Sequence, residues 1–172
     1  MPKMNVRRMC YAALLAAMYL PLSLYAAVQV GNVRISFGSL PVVAAALLFG
    51  PVDAVIVAMV GEFFKQLLTY GVTYTTVLYL IPPALRGLVV GLGALALLSL
   101  RGQRLEERRM LCYAVCIVAA VCTTLGNTLV NWLDSVLMGY YFPGLILGDF
   151  VWRLIVGMIN AVVMSSLAIP LV

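Results

Sequence analysis

Six ionisable residues fall where the surrounding sequence is otherwise apolar: Glu62, Lys65, Arg86, Asp134, Asp149 and Arg153. Charge inside a lipid-embedded segment is costly, so each is a candidate for function before it is a candidate for anything else. Asn127, Asn131 and Asp134 recur at i, i+4 and i+7, which puts three polar groups on one helix face. Phe37, Tyr74, Tyr140 and Tyr141 lie at or near the predicted helix ends beside them. Planar faces, amides and a few charges of both signs suit a flat, heteroatom-bearing small molecule held in a polar cavity. A purely structural account stands beside this one. Asp149 and Arg153 are an i, i+4 pair that neutralise each other on one helix, and Glu62 does the same for Lys65 or Arg86. Trp132 and Trp152 suit anchors at the membrane interface as well as stacking partners.

The elements that carry these residues follow from hydropathy. The chain has 172 residues, 65% of them hydrophobic and 10% charged, more apolar than a soluble domain of this size tolerates. Apolar stretches recur to the last residue, so a cleaved leader is not expected. A spanning helix needs about 20 apolar residues, and the expected spans are 9–28, 39–50, 52–69, 80–100, 110–137 and 143–172. Gly50-Pro51 divides a block too long for one crossing. QVGNVRISFG, YGVTYTTVLY and MGYYFPG form the loops on one side. The expected fold is an all-α, six-transmembrane-helix bundle over 1–172 as one integral membrane domain.

Charge orients the bundle. Seven of the 11 basic residues lie in two segments, Lys3, Arg7 and Arg8 before the first span and Arg101, Arg104, Arg108 and Arg109 between the fourth and fifth. The positive-inside rule places both in the cytoplasm together with both termini. The intramembrane charges then sit at the midplane or in the outer half, Asp53 at the cytoplasmic turn excepted, and the cavity opens outward. The net charge of +5 is an orientation signal rather than a nucleic-acid footprint, because the basic residues flank apolar spans instead of forming a stripe.

The chemistry that is missing narrows the function. There is no histidine, and Cys10, Cys112, Cys116 and Cys122 do not form a ligand set, so packing cysteines are expected and no metal. No phosphate-cradling loop, nucleophile elbow or catalytic carboxylate pair is present, which favours binding without chemistry: not an enzyme, and no cofactor in this chain. Alanines at 12, 13, 16 and 17 give two overlapping Ala-x-x-x-Ala patterns in the first span, a spacing that lets another helix approach closely or serves packing within the bundle.

The stretches RRMCYAALLAAMYL, VRISFGSLPVVAAALLFGPVDAVIVAMVGE and PPALRGLVVGL resemble the substrate-binding, or S, components of energy-coupling factor (ECF) transporters, and within them the folate family. The resemblance implies the six-helix S-component fold in a prokaryotic plasma membrane and capture of a vitamin from outside. It also implies as partners a membrane coupling protein and two cytosolic ATPases that use the ATP. It makes Ala13 and Ala17, with Ala12 and Ala16 as the offset pair, the coupling-protein contact. By position it points to Arg34, Ser36, Phe37, Lys65, Arg86, Asn131, Asp149 and Arg153 as the substrate site. Folate would stack its pterin on aromatics, hydrogen-bond a carboxylate and pair its dianionic tail with Arg34, Lys65, Arg86 and Arg153. EFFKQLLTYGVTYTTVLYLIPPALRG departs from the Gly-rich pattern of folate members, which leaves another vitamin or a modified base as the alternative ligand. Outside the family the alternatives are a small ion-coupled transporter with Glu62 as carrier, and a membrane enzyme on lipid-linked substrates using Asp53 and Glu62.

Overall fold

A computed structural model of the chain describes residues 6–30, 33–102, 104–139 and 142–171. Its elements are α1 (Val6–Leu24), strands β1 (Ala27–Val30) and β2 (Val33–Ser36), α2 (Ser39–Phe49), α3 (Pro51–Tyr70), α4 (Ile81–Arg101), α5 (Arg109–Leu137) and α6 (Pro143–Ala168). Single 3₁₀ turns at Leu78–Leu80, Leu105–Glu107 and Ile169–Leu171 adjoin the helices. This is the expected six-helix, all-α membrane fold with one addition. The first loop is an antiparallel hairpin, with Ala27 opposite Ser36 and Gln29 opposite Arg34.

Local chemistry sets most of the boundaries. α1 stops at Leu24, four residues before the apolar run does, because the Pro21 carbonyl accepts from both Tyr25 and Ala26 N–H and turns the chain into β1. Gly50 separates α2 from α3 at φ +94°, a left-handed conformation open to glycine, and Pro51 then occupies the first turn of α3, where its missing N–H costs nothing. α4 likewise starts with Pro82 and Pro83 in its first turn.

α2 has no polar face: it is buried from Ser39 through Ala46 apart from the half-buried Leu40, and the other helices surround it. The core joins Val42, Val43, Ala45 and Ala46 of α2 to Ala54, Val57 and Ala58 of α3, Val90 of α4, and Cys112, Cys116 and Ala119 of α5. Small residues bring the backbones together. A Cβ on Gly91 of α4 would lie 2.4 Å from Pro51 Cα, and one on Gly87 would lie 2.9 Å from the Ala54 carbonyl carbon. The obstacle is backbone, which cannot rotate away. Gly91→Ala is therefore expected to destabilise the solubilised protein by about 2 kcal/mol, read as a lower melting temperature, whereas alanine at the exposed Ser99 of the same helix leaves it unchanged.

Leu78–Leu100, Arg109–Leu137 and Phe150–Ala168 are long and apolar enough to cross a bilayer by length and composition, and Ser39–Phe49 is apolar but shorter. α1 and α3 are the more polar pair for a visible reason. Arg8 of α1 reaches over the α2–α3 turn, donating to Asp53 and to the Phe49 carbonyl while its guanidinium lies 5.9 Å from the Phe49 ring centroid. Glu62, Lys65 and Gln66 of α3 turn toward a cavity at the other end of the bundle.

Candidate binding cavity

A cavity of about 700 Å³ occupies the half of the bundle toward the hairpin and the 71–80 segment, and all six helices contribute to its wall. Tyr19 of α1, Ser39 and Val42 of α2, and Glu62, Lys65 and Gln66 of α3 form one side. Arg86 of α4, Thr123, Thr124, Asn127, Asn131 and Asp134 of α5, and Arg153, Gly157 and Asn160 of α6 form the other. Thr73, Thr75 and Tyr79, between α3 and α4, lie at its rim.

Glu62 is the centre of the first side. It is 4% exposed and accepts three hydrogen bonds, from Tyr19 Oη at 2.5 Å, Lys65 Nζ at 2.7 Å and Gln66 Nε2 at 2.9 Å. The spacing explains two of them, since i+3 and i+4 neighbours on a helix share a face. The third comes from α1 and depends on Gly61. A Cβ there would lie 2.5 Å from Tyr19 Cγ, so the missing side chain makes room for the ring whose hydroxyl reaches Glu62. A buried carboxylate with a cation and two neutral donors meets the condition for burying charge without a large penalty.

On the second side Arg86 Nε lies 3.4 Å from Thr123 Oγ1. Thr123 and Thr124 donate their own protons back to the carbonyls of Ala119 and Ala120, which leaves their oxygens as acceptors toward the cavity. Tyr79 Oη lies 3.2 Å from Asn131 Oδ1 and 3.3 Å from Asp134 Oδ2, so its one proton serves either and ties the rim to α5. Thr73 and Thr76 hold this segment in a closed turn, Thr76 Oγ1 accepting from Thr73 N–H at 2.9 Å.

The residues expected at a site from sequence fall into three groups. Lys65, Arg86, Asn131 and Arg153 come together on the cavity wall, with Asn127, Asp134 and Glu62. Phe37 does not join them among the described residues: its N–H bonds the Ala26 carbonyl beneath the hairpin, a backbone constraint that holds it in the turn before α2. Tyr74 points away and is 99% exposed, and Trp132 and Trp152 also face outward. The side chains of Arg34, Ser36 and Asp149, and all of Tyr140 and Tyr141, lie outside the described residues. Tyr19, Ser39, Gln66, Thr75 and Tyr79 were not singled out from sequence. Gln66 had a legible signal, one residue past Lys65 and four past Glu62; Tyr19 and Ser39 had none, because both sit in apolar runs.

The two alanine patterns separate. Ala12 and Ala16 pack against the core, while Ala13 and Ala17, about 100° further around α1, are exposed among Met9, Cys10, Leu14 and Met18. No group of His, Cys, Asp or Glu that could hold a metal occurs among the described residues.

A bundle of apolar helices around a polar cavity of small-molecule size defines a multi-pass membrane protein with a candidate ligand site. The family model of the ECF-type riboflavin transporter S component matches residues 3–172, and the chain belongs to that family of transporter S components. The match bears out the S-component class and does not support the folate branch of it. No match is found among curated proteins.

Proposed function

We propose that this chain is the substrate-capturing subunit of a vitamin importer and that its ligand is uncharged and flat, riboflavin in preference to folate. The observation that carries the choice is the state of the cavity's charges. Lys65 is held by Glu62, and the described lining contains Glu62 and Asp134 against Lys65, Arg86 and Arg153, a balance near neutrality. A dianionic tail needs cations not already engaged, whereas an uncharged ring system with carbonyls and a polyol chain needs donors and acceptors such as Asn127, Asn131, Tyr79 and Thr73. The name of the matched family points the same way. Folate is the second reading, favoured by Arg86 and Arg153 on one cavity wall and by the folate-type sequence resemblance.

In this proposal the basic end, with Arg8 and the 101–109 segment, faces the cytoplasm and the cavity opens outward. Ligand enters beneath the hairpin and the 71–80 segment. The exposed Ala13 and Ala17 face of α1 meets a membrane coupling protein, and two cytosolic ATPases supply the energy that returns the loaded subunit to the inside.

The test is a titration of the purified, detergent-solubilised chain with riboflavin, followed by quenching of vitamin fluorescence, with folate, thiamin and pantothenate as competitors. Saturable riboflavin binding that excess folate does not displace is the expected result. Displacement by folate moves the ligand to folate. Failure to bind any of the four overturns the capture reading and brings forward the ion-coupled transporter with Glu62 as carrier.

A further inference from the structure

The start of α2 lies in an unusual place. The helix has 11 residues, about 16 Å at 1.5 Å per residue, roughly half of a ~30 Å hydrocarbon core. Its C-terminal end is fixed at the basic end of the bundle, where Arg8 donates to the Phe49 carbonyl and Gly50 leads into α3. Its N-terminus therefore lies inside the bundle. Gly38 packs there against Ser23 and Tyr19, and Ser39 shares the cavity lining with Tyr19 and Glu62. Those two residues are at the same depth, each eleven positions along its helix from a residue of the basic end, Arg8 and Pro51. A helix beginning at mid-depth directs the positive end of its dipole into the cavity region. The helix itself does not neutralise it: Gly38 at the cap position supplies no side-chain bond, and the first turn holds no acidic residue, while the Glu62 carboxylate on the same lining is taken up by Tyr19, Lys65 and Gln66.

Ser39 is the second, independent observation. It is 7% exposed, it lines the cavity, and its Oγ is buried with no hydrogen-bond partner among the described residues. A buried hydroxyl left unpaired is costly, and the other buried hydroxyls among the described residues avoid it. Thr123, Thr124 and Ser165 each donate to the carbonyl four residues earlier. Ser39 opens its helix, so no preceding helical turn presents such a carbonyl. With no bond to hold it, the hydroxyl is free to rotate among its staggered positions toward whatever the cavity contains.

We propose that Ser39 and the inward N-terminus of α2 form a subsite that recognises an acceptor oxygen of the ligand, a ring carbonyl or a carboxylate. The subsite rests on the cavity being the ligand site, but not on the ligand being riboflavin. Ser39→Ala and Ser39→Asp in the full chain test it through two readouts, the melting temperature without ligand and the affinity for whichever of riboflavin and folate the wild type binds.

Ser39→Ala removes no internal bond, so the ligand-free melting temperature is expected to hold or rise while affinity falls about tenfold, the worth of one hydrogen bond. Ser39→Asp places an acid in the first turn of the helix, where the dipole favours it, and is expected to fold, yet its carboxylate repels an acceptor oxygen, so affinity falls further than with alanine. Wild-type affinity in Ser39→Ala overturns the subsite. So does a lowered ligand-free melting temperature in that variant, which assigns Ser39 a structural role. A wild type that binds neither vitamin removes the cavity reading itself, an outcome distinct from a wild type that binds and a variant that binds equally well.

Discussion

Glu62→Ala is expected to lower the stability of the solubilised protein by about 3 kcal/mol, the usual cost of removing one partner from a buried ion pair. The substitution leaves the Lys65 ammonium at the cavity without its paired carboxylate, and takes the acceptor from Tyr19 and Gln66 together. Lys65 is partly open to the cavity, which keeps the figure at the lower end of that range. Thermal unfolding in detergent reads the loss. A second substitution, Lys65→Met, removes the stranded charge and is expected to recover most of it, because replacing a whole buried pair by apolar groups is often neutral. Unchanged melting in Glu62→Ala would show that the cluster is solvated and contributes little. Recovery that fails in the double variant would shift the weight from the ion pair to the Tyr19 hydrogen bond between α1 and α3.

The second large effect separates the two faces of α1. Ala13→Trp with Ala17→Trp is expected to reduce uptake in whole cells to background while leaving vitamin affinity in detergent at the wild-type value. Both alanines are exposed, so the indoles point away from the core of the bundle, but they hold any partner helix away from a surface on which small residues permit close approach. Ala12→Trp with Ala16→Trp should behave oppositely. These positions pack against the core, where inserted volume costs about 3 kcal/mol or more, and the protein should fail to fold or to bind. Uptake that survives the outward pair would remove α1 from the coupling surface; loss of binding in that pair would mean that the exposed face supports the cavity as well.

Sequence reading located the helices closely because lipid leaves few options: each apolar stretch must satisfy its own backbone, and helices do so segment by segment. The observed α2, α3, α4 and α5 begin and end within a residue of the expected spans. α1 ends earlier, where hydrogen bonds to the Pro21 carbonyl override hydropathy. The hairpin 27–36 escaped notice because four-residue strands carry too little alternation to stand out from a polar loop.

Part of the candidate site was also legible. Charge within apolar sequence is conspicuous, and it drew attention to Glu62, Lys65, Arg86 and Arg153, which converge on one cavity. Amide periodicity did the same for Asn127 and Asn131. What sequence by itself determined about this protein is therefore its class, its helices and the set of polar groups that must be sheltered together, since the cost of burying polarity in lipid is a property of residue type and position. Tertiary structure alone decided three things: that Tyr19 reaches Glu62 through the space left by Gly61, that Ala13 and Ala17 face out while Ala12 and Ala16 face in, and that Ser39 opens a half-length helix at mid-depth beside the cavity. Each depends on how one helix is rotated and seated against another, and that is set by close packing between segments far apart in the chain rather than by any local pattern.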